Sequence, residues 1–144
     1  MLFERFVRNF LRREQVAFRL CSRQLKWSTN GDALLLPTMQ TDVTLRRRRQ
    51  RTVIETKFTA RQLMQRFGQT RDRSDHLYQL FAYLQNLAAH APAGSRVGGI
   101  LLYPRVGACP EVRCELHGHP VRITTLDLSG EWEDIRRQLL ALLD

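Results

Sequence analysis

The sequence predicts a domain that mixes α and β structure, in the order helix, three strands, helix, strand, further strands, helix. Three observations carry that prediction. Amphipathic segments, with apolar residues every three to four positions, lie near the start, middle and end of the chain. Between them lie short runs rich in Val, Ile, Thr and Leu, of strand length. No internal repeat and no Pro-, Gly- or Ser-rich linker divides the 144 residues. The span 1–144 therefore reads as a single domain, long enough to bury a core.

The elements follow in order. Leu2–Arg13 places Phe3, Phe6, Val7, Phe10 and Leu11 on one helical stripe. Glu4 borders that stripe, and an acid in a first helical turn is favoured by the helix dipole alone. Gln15–Trp27 is amphipathic and ambiguous, open to a reading that continues the helix and then forms a strand around Gln24–Ser28. Thr29-Asn30-Gly31-Asp32 is a turn, and Leu34–Leu45 reads as a strand with Pro37 at an edge or bend. Arg46–Arg51 is a basic hairpin loop turning at Arg48-Arg49, and Thr52–Phe58 is the central strand. Thr59–Ser74 is polar and reads as a connector with a short helix at Ala60–Phe67. Ser74-Asp75 is suited to cap a helix running to about Ala89. Val97–Tyr103 has the apolar density of a strand buried on both faces. Glu111–His117 and Pro120–Asp127 read as paired strands, and Ser129 is placed to cap a last helix, Glu131–Leu143.

Composition narrows the function. No run reaches transmembrane length and the N-terminus does not have signal-peptide form, so the expected location is the cytoplasm, with no membrane role. The net charge is +9, and all but Lys26 and Lys57 of the 23 basic residues are arginines. Such a charge fits a polyanionic partner, most simply nucleic acid, although a solvated Arg-rich surface has the same composition. Arg61, Arg66, Arg71 and Arg73 are placed to follow a nucleic-acid backbone or to form that surface. Three cysteines do not form an even disulfide set. Cys109, Cys114, His117 and His119 invite zinc, but their spacing matches no common finger.

The chemistry concentrates on Asp42, Glu55 and Lys57. Side chains alternate along a strand, so Val53, Glu55 and Lys57 share one face. A hairpin turning at Arg48-Arg49 sets Asp42 directly opposite Glu55, and a slip of one residue would send Asp42 to the other face. Two close carboxylates repel, and a divalent cation between them relieves the repulsion. A lysine beside them is suited to orient water or steady a phosphate. An exposed Glu–Lys pair on an ordinary strand has the same spacing. Gln79 and Tyr83, four residues apart on the middle helix, stack on one face; they either extend hydrogen-bonding groups over the acids or form the polar flank of a core helix.

Asp42, Glu55-Thr56-Lys57 and Gln79-x-x-x-Tyr83, in that order, resemble the PD-(D/E)xK nuclease superfamily in its RecB-like branch. The segments 2–11, 36–42 and 98–104 more closely resemble the McrC family, nuclease subunits of the McrBC systems that restrict modified-cytosine DNA. The likeness covers nearly the whole chain. It implies an α/β restriction-endonuclease-like core, a mixed central sheet flanked by helices, and a metal-dependent DNA endonuclease. It also implies metal binding by Glu4, Asp42, Glu55 and the Thr56 carbonyl, with Lys57 catalytic and Gln79 and Tyr83 supporting the site and contacting DNA. The implied cofactor is Mg²⁺, with Mn²⁺ as a substitute, and the implied partners are DNA and a McrB-like AAA+ GTPase. Thr41 stands where the superfamily usually has proline. The N-terminal partner-binding domain of McrC proteins has no counterpart in 1–144, which weakens the expectation of a GTPase. The competing expectation is a non-catalytic DNA-binding or assembly module with a degenerate nuclease fold.

Overall fold

The computed structural model describes residues 2–14, 17–21, 23–58, 69–107 and 110–144, without the side chains of 69–73. Three helices, α1 (Leu2–Arg13), α2 (Gln69–His90) and α3 (Trp132–Ala141), flank the strands. The strands are β1 (Arg19–Leu20), β2 (Gln24–Leu25), β3 (Met39–Gln40), β4 (Val43–Arg47), β5 (Gln50–Thr56), β6 (Arg96–Pro104), β7 (Val112–Leu116) and β8 (His119–Leu126). Six of them form one mixed sheet in the order β1-β4-β5-β6-β8-β7, while β2 and β3 pair separately. β5, β6 and β8 run parallel at its centre, and antiparallel pairs finish both edges. This is the expected restriction-endonuclease-like core, a mixed sheet covered by helices.

The two faces carry separate cores. On one, Phe3, Val7, Phe10 and Leu11 of α1 and Leu139 of α3 pack against Val43, Leu45, Ile54, Ile100 and Leu102. Phe6 and Phe10 meet the edge of Trp132, which joins α1 to α3. On the other face, Leu80, Tyr83 and Leu84 of α2, with Met39 of β3, pack against Val53, Val97, Leu101 and Val121. β6 is buried on both faces, as its apolar run predicts.

The β4–β5 hairpin turns at Arg48-Arg49 and pairs Val43 with Ile54 through Arg47 with Gln50. Arg48 adopts the left-handed conformation, at φ 52°, that such a tight turn requires. The register is locked by burial. A one-residue slip of β4 would turn Val43 and Leu45 away from the α1–α3 core, at about 2 kcal/mol for each side chain exposed.

Four expectations need correction. Leu34–Leu45 is not one strand: a turn occupies 34–36, Leu34 and Leu35 are 89% and 93% exposed, and only Met39–Gln40 and Val43–Arg47 are extended into ladders. The indole of Trp27 donates to the carbonyl of Pro37, and the amide of Leu34 to the Asp32 carboxylate, which bends the chain there. α2 starts at Gln69, so Ser74-Asp75 lies inside the helix rather than at its cap. α1 ends at Arg13, and of the strand expected around Gln24–Ser28 only Gln24–Leu25 is extended, after a separate short strand at Arg19–Leu20. Ser129 does not cap α3: its hydroxyl donates to Asp127, and Glu131 occupies the cap position without a side-chain hydrogen bond. The helix expected at Ala60–Phe67 falls outside the described residues, as do Arg61, Arg66 and Cys109.

Candidate active site

β4, β5 and α2 bring the predicted residues together at one end of the sheet. Continuing the hairpin register by one residue sets Asp42 opposite Glu55, on the face that packs against α2. Each acid is held by the other strand's backbone. The Asp42 amide donates to Glu55 Oε1 at 2.9 Å, while the amide and hydroxyl of Thr56 donate to Asp42 Oδ2 at 2.8 and 2.6 Å. One oxygen of each carboxylate is thereby fixed, which sets the plane in which the second is presented to a ligand.

Lys57 follows on the same strand face. Its Nζ lies 3.7 Å from Glu55 Oε2 and donates to Gln79 Oε1, and Gln79 Nε2 donates to the Tyr83 hydroxyl at 2.9 Å. The four-residue helical spacing of Gln79 and Tyr83 thus builds a relay from α2 down to the lysine. Tyr83 is itself buried among the core residues of that face.

Glu4 arrives from α1, on the opposite layer of the sheet. It is ion-paired with Arg23, whose Nε donates to the Thr41 carbonyl at 3.0 Å. Among the described residues, no three His, Cys, Asp or Glu side chains are gathered as a metal cage. Asp42 and Glu55 are therefore a two-acid centre, with Glu4 held by Arg23 within electrostatic reach of it. Among the described residues of the zinc quartet, Cys114 is exposed on β7, and His119 Nδ1 lies 3.0 Å from the Val97 carbonyl oxygen.

Electrostatics mark Glu55. It is 2% exposed, and burial, then the charge of Asp42, push its carboxyl up to about 7; the Asp42 amide and the Lys57 ammonium pull it partly back. Burial, followed by the charge of Glu55, also raises the Tyr83 phenol. The donors are hard oxygens, and the desolvated acid pair gains most from a cation. Divalent magnesium keeps several waters and needs few protein oxygens, so two acids fit it.

Arg8, Arg23 and Thr44, which sequence reasoning did not single out, join Thr41 in steadying this end of the sheet. The Thr41 amide donates to the Arg23 carbonyl, and the Thr41 and Thr44 hydroxyls share a buried 2.8 Å hydrogen bond. Arg8 donates to the Asp42 carbonyl at 3.2 Å. No local pattern distinguishes Arg23 or Arg8 from the other arginines; only the fold brings them here.

A model of the family described as McrBC 5-methylcytosine restriction system component matches residues 1–104. The chain belongs to that McrBC family. Along its whole length it is also 32% identical to the type IV methyl-directed restriction enzyme EcoKMcrBC of Escherichia coli strain K12. The chain spans 42% of the length of that relative. The McrBC match takes in α1, the β4–β5 hairpin, α2 and β6, and so every residue of the candidate site.

Proposed function

We propose that this McrBC-family chain is a metal-dependent DNA endonuclease domain that hydrolyses phosphodiester bonds with a PD-(D/E)xK site. The observation that carries the proposal is the reciprocal clasp of Asp42 and Glu55, with Lys57 Nζ 3.7 Å from Glu55. A dead scaffold has no evident use for a buried carboxylate held beside a second one, since the pair costs stability.

In this reading Asp42 and Glu55 hold one Mg²⁺, with Mn²⁺ able to substitute, and the Thr56 carbonyl and Glu4 are the remaining candidate donors. Bound there, the metal supplies positive charge against the phosphodiester and the acidity that makes water a nucleophile. The residues of the chain do the rest. Thr56 fixes the Asp42 carboxylate through two hydrogen bonds. Lys57, oriented by Gln79, presents its ammonium to the scissile phosphate and to the attacking water. Tyr83 holds Gln79 in that orientation, and the exposed Gln79 side contacts DNA. The relative named as a methyl-directed restriction enzyme makes modified DNA the natural substrate to try. The resemblance to McrC supports a McrB-like AAA+ GTPase as partner, which would supply recognition of the modified base. No described helix is long and apolar enough to cross a membrane.

Nicking of supercoiled plasmid in Mg²⁺ or Mn²⁺ tests the proposal. Wild-type protein is expected to nick. Asp42→Ala, Glu55→Ala and Lys57→Ala should each lose at least a hundredfold in rate while still retarding DNA. Undiminished nicking by all three variants would refute it.

A further inference from the structure

The cross-strand register lines up three arginines on the same sheet face as the acids. Arg19 pairs with Arg46, and Arg46 pairs with Arg51. Their strand neighbours fix the direction of each. Leu20 and Leu45 point into the core beneath α1 and α3, so Arg19 and Arg46 point the other way. Val53 packs against α2 on the face of Glu55, and Arg51, two residues earlier, shares it. Arg19 and Arg46 are exposed and Arg51 is half-buried. Among the described residues none of the three forms an ion pair.

Like charges directly opposite one another across a ladder are destabilising, and here two such pairs adjoin. A polyanion laid across the row reverses that cost. Arg46 lies four residues from Asp42 on one strand and Arg51 four from Glu55 on the next, so the row is about 13 Å from the acids at a rise of ~3.3 Å per residue. That is about four base-pair steps of B-DNA at ~3.4 Å each. The row is open to solvent at the β1 edge, on the face where the acids lie.

We propose that Arg19, Arg46 and Arg51 form a phosphate track that holds the DNA backbone leading into the acid pair. The proposal rests on the nuclease reading for its choice of DNA, and its residues are positioning residues that touch neither the metal nor the scissile phosphate.

The test is equilibrium binding of a 30-base-pair duplex, by fluorescence anisotropy in EDTA, across a salt series. Because no metal is present, the result does not depend on cleavage. The triple variant Arg19→Ala/Arg46→Ala/Arg51→Ala should bind at least tenfold more weakly at low salt. The slope of log affinity against log salt should become shallower by about 2 to 3, at ~0.9 for each phosphate that the protein no longer neutralises. The matching triple lysine variant should restore the slope, since it keeps the charges. The alanine variant should also unfold at higher temperature than wild type at low ionic strength, because the like-charge row is gone. An alanine variant that folds and keeps wild-type affinity and slope overturns the track. A shallower slope in the alanine variant, together with a wild type that cuts nothing in any metal, would leave the track standing and remove the nuclease reading alone.

Discussion

Glu55 is the residue on which charge and function meet. Its carboxyl is raised from 4.5 to about 7 in the fold, chiefly by burial. The folded state therefore holds a proton that the unfolded chain releases near 4.5. Without metal, the contribution of Glu55 to stability is fully present below that value and is lost as pH rises through about 7, on the order of 3 kcal/mol for this shift. Urea unfolding in EDTA at pH 5 and pH 8 should show that fall, and Glu55→Gln should flatten it. A wild-type stability that rises over the same interval would show that Glu55 is not the buried acid described. If Glu55 holds a metal as proposed, it must do so ionised, so activity should climb between pH 6 and 8 as the same proton leaves. Lys57 depends on its neighbours in turn. Gln79→Ala removes the acceptor that aims the ammonium and should lower the nicking rate about tenfold, whereas Tyr83→Phe, which removes only the hydroxyl that steadies Gln79 and keeps the acceptor itself, should cost less.

At the scale of elements, the site exists because α2 lies close on the sheet. Gly99 of β6 makes that approach possible: a Cβ there would meet Leu80 Cδ1 at 2.8 Å. Leu80 is fully buried and adjoins Gln79 in sequence, so Gly99→Ala should destabilise the fold by about 1–3 kcal/mol and displace the helix that aims Lys57. Denaturant unfolding together with the nicking rate checks both effects; reduced stability with unchanged activity would show that α2 position does not tune the site. The same elements show what could be read from the chain. The β4–β5 register was legible because a hairpin turning at Arg48-Arg49 fixes it, and the burial of Val43 and Leu45, which alternate with Asp42, Thr44 and Arg46, holds it. The start of α2 was not legible, because Gln69–Asp75 contains no apolar residue and gives no helical stripe to detect. The Leu34-Leu35-Leu36 run reads as strand by propensity, yet the hydrogen bonds of Trp27 and Asp32 hold it as an exposed turn. At the hairpin tip, Arg48 accepts a left-handed backbone where Gly or Asn would be the usual signal.

Across the whole molecule, the division of labour follows the two faces. α1 and α3 cover one face with an aliphatic and aromatic core, and α2 covers part of the other, leaving the acids, the lysine and the arginine row on that second side. The acid pair was legible from spacing once the register was known, because strand geometry alone carries Asp42 to Glu55. The brace of Arg8, Arg23, Thr41 and Glu4 was not, because it joins residues from α1, the β2 approach and the β4 entry that no local pattern connects. The net charge of +9 predicts association with DNA that weakens steeply with salt, the arginine row contributing its own share. Metal binding by the acid pair is the central claim, and it requires neither DNA nor a partner protein. Thermal unfolding at pH 8 across a Mg²⁺ titration therefore tests it most directly. A tenfold excess over the dissociation constant should stabilise wild type by about 1.4 kcal/mol, and Asp42→Asn should abolish the effect. Equal stabilisation of wild type and Asp42→Asn, or none in either up to tens of millimolar, would contradict a metal held between these two strands.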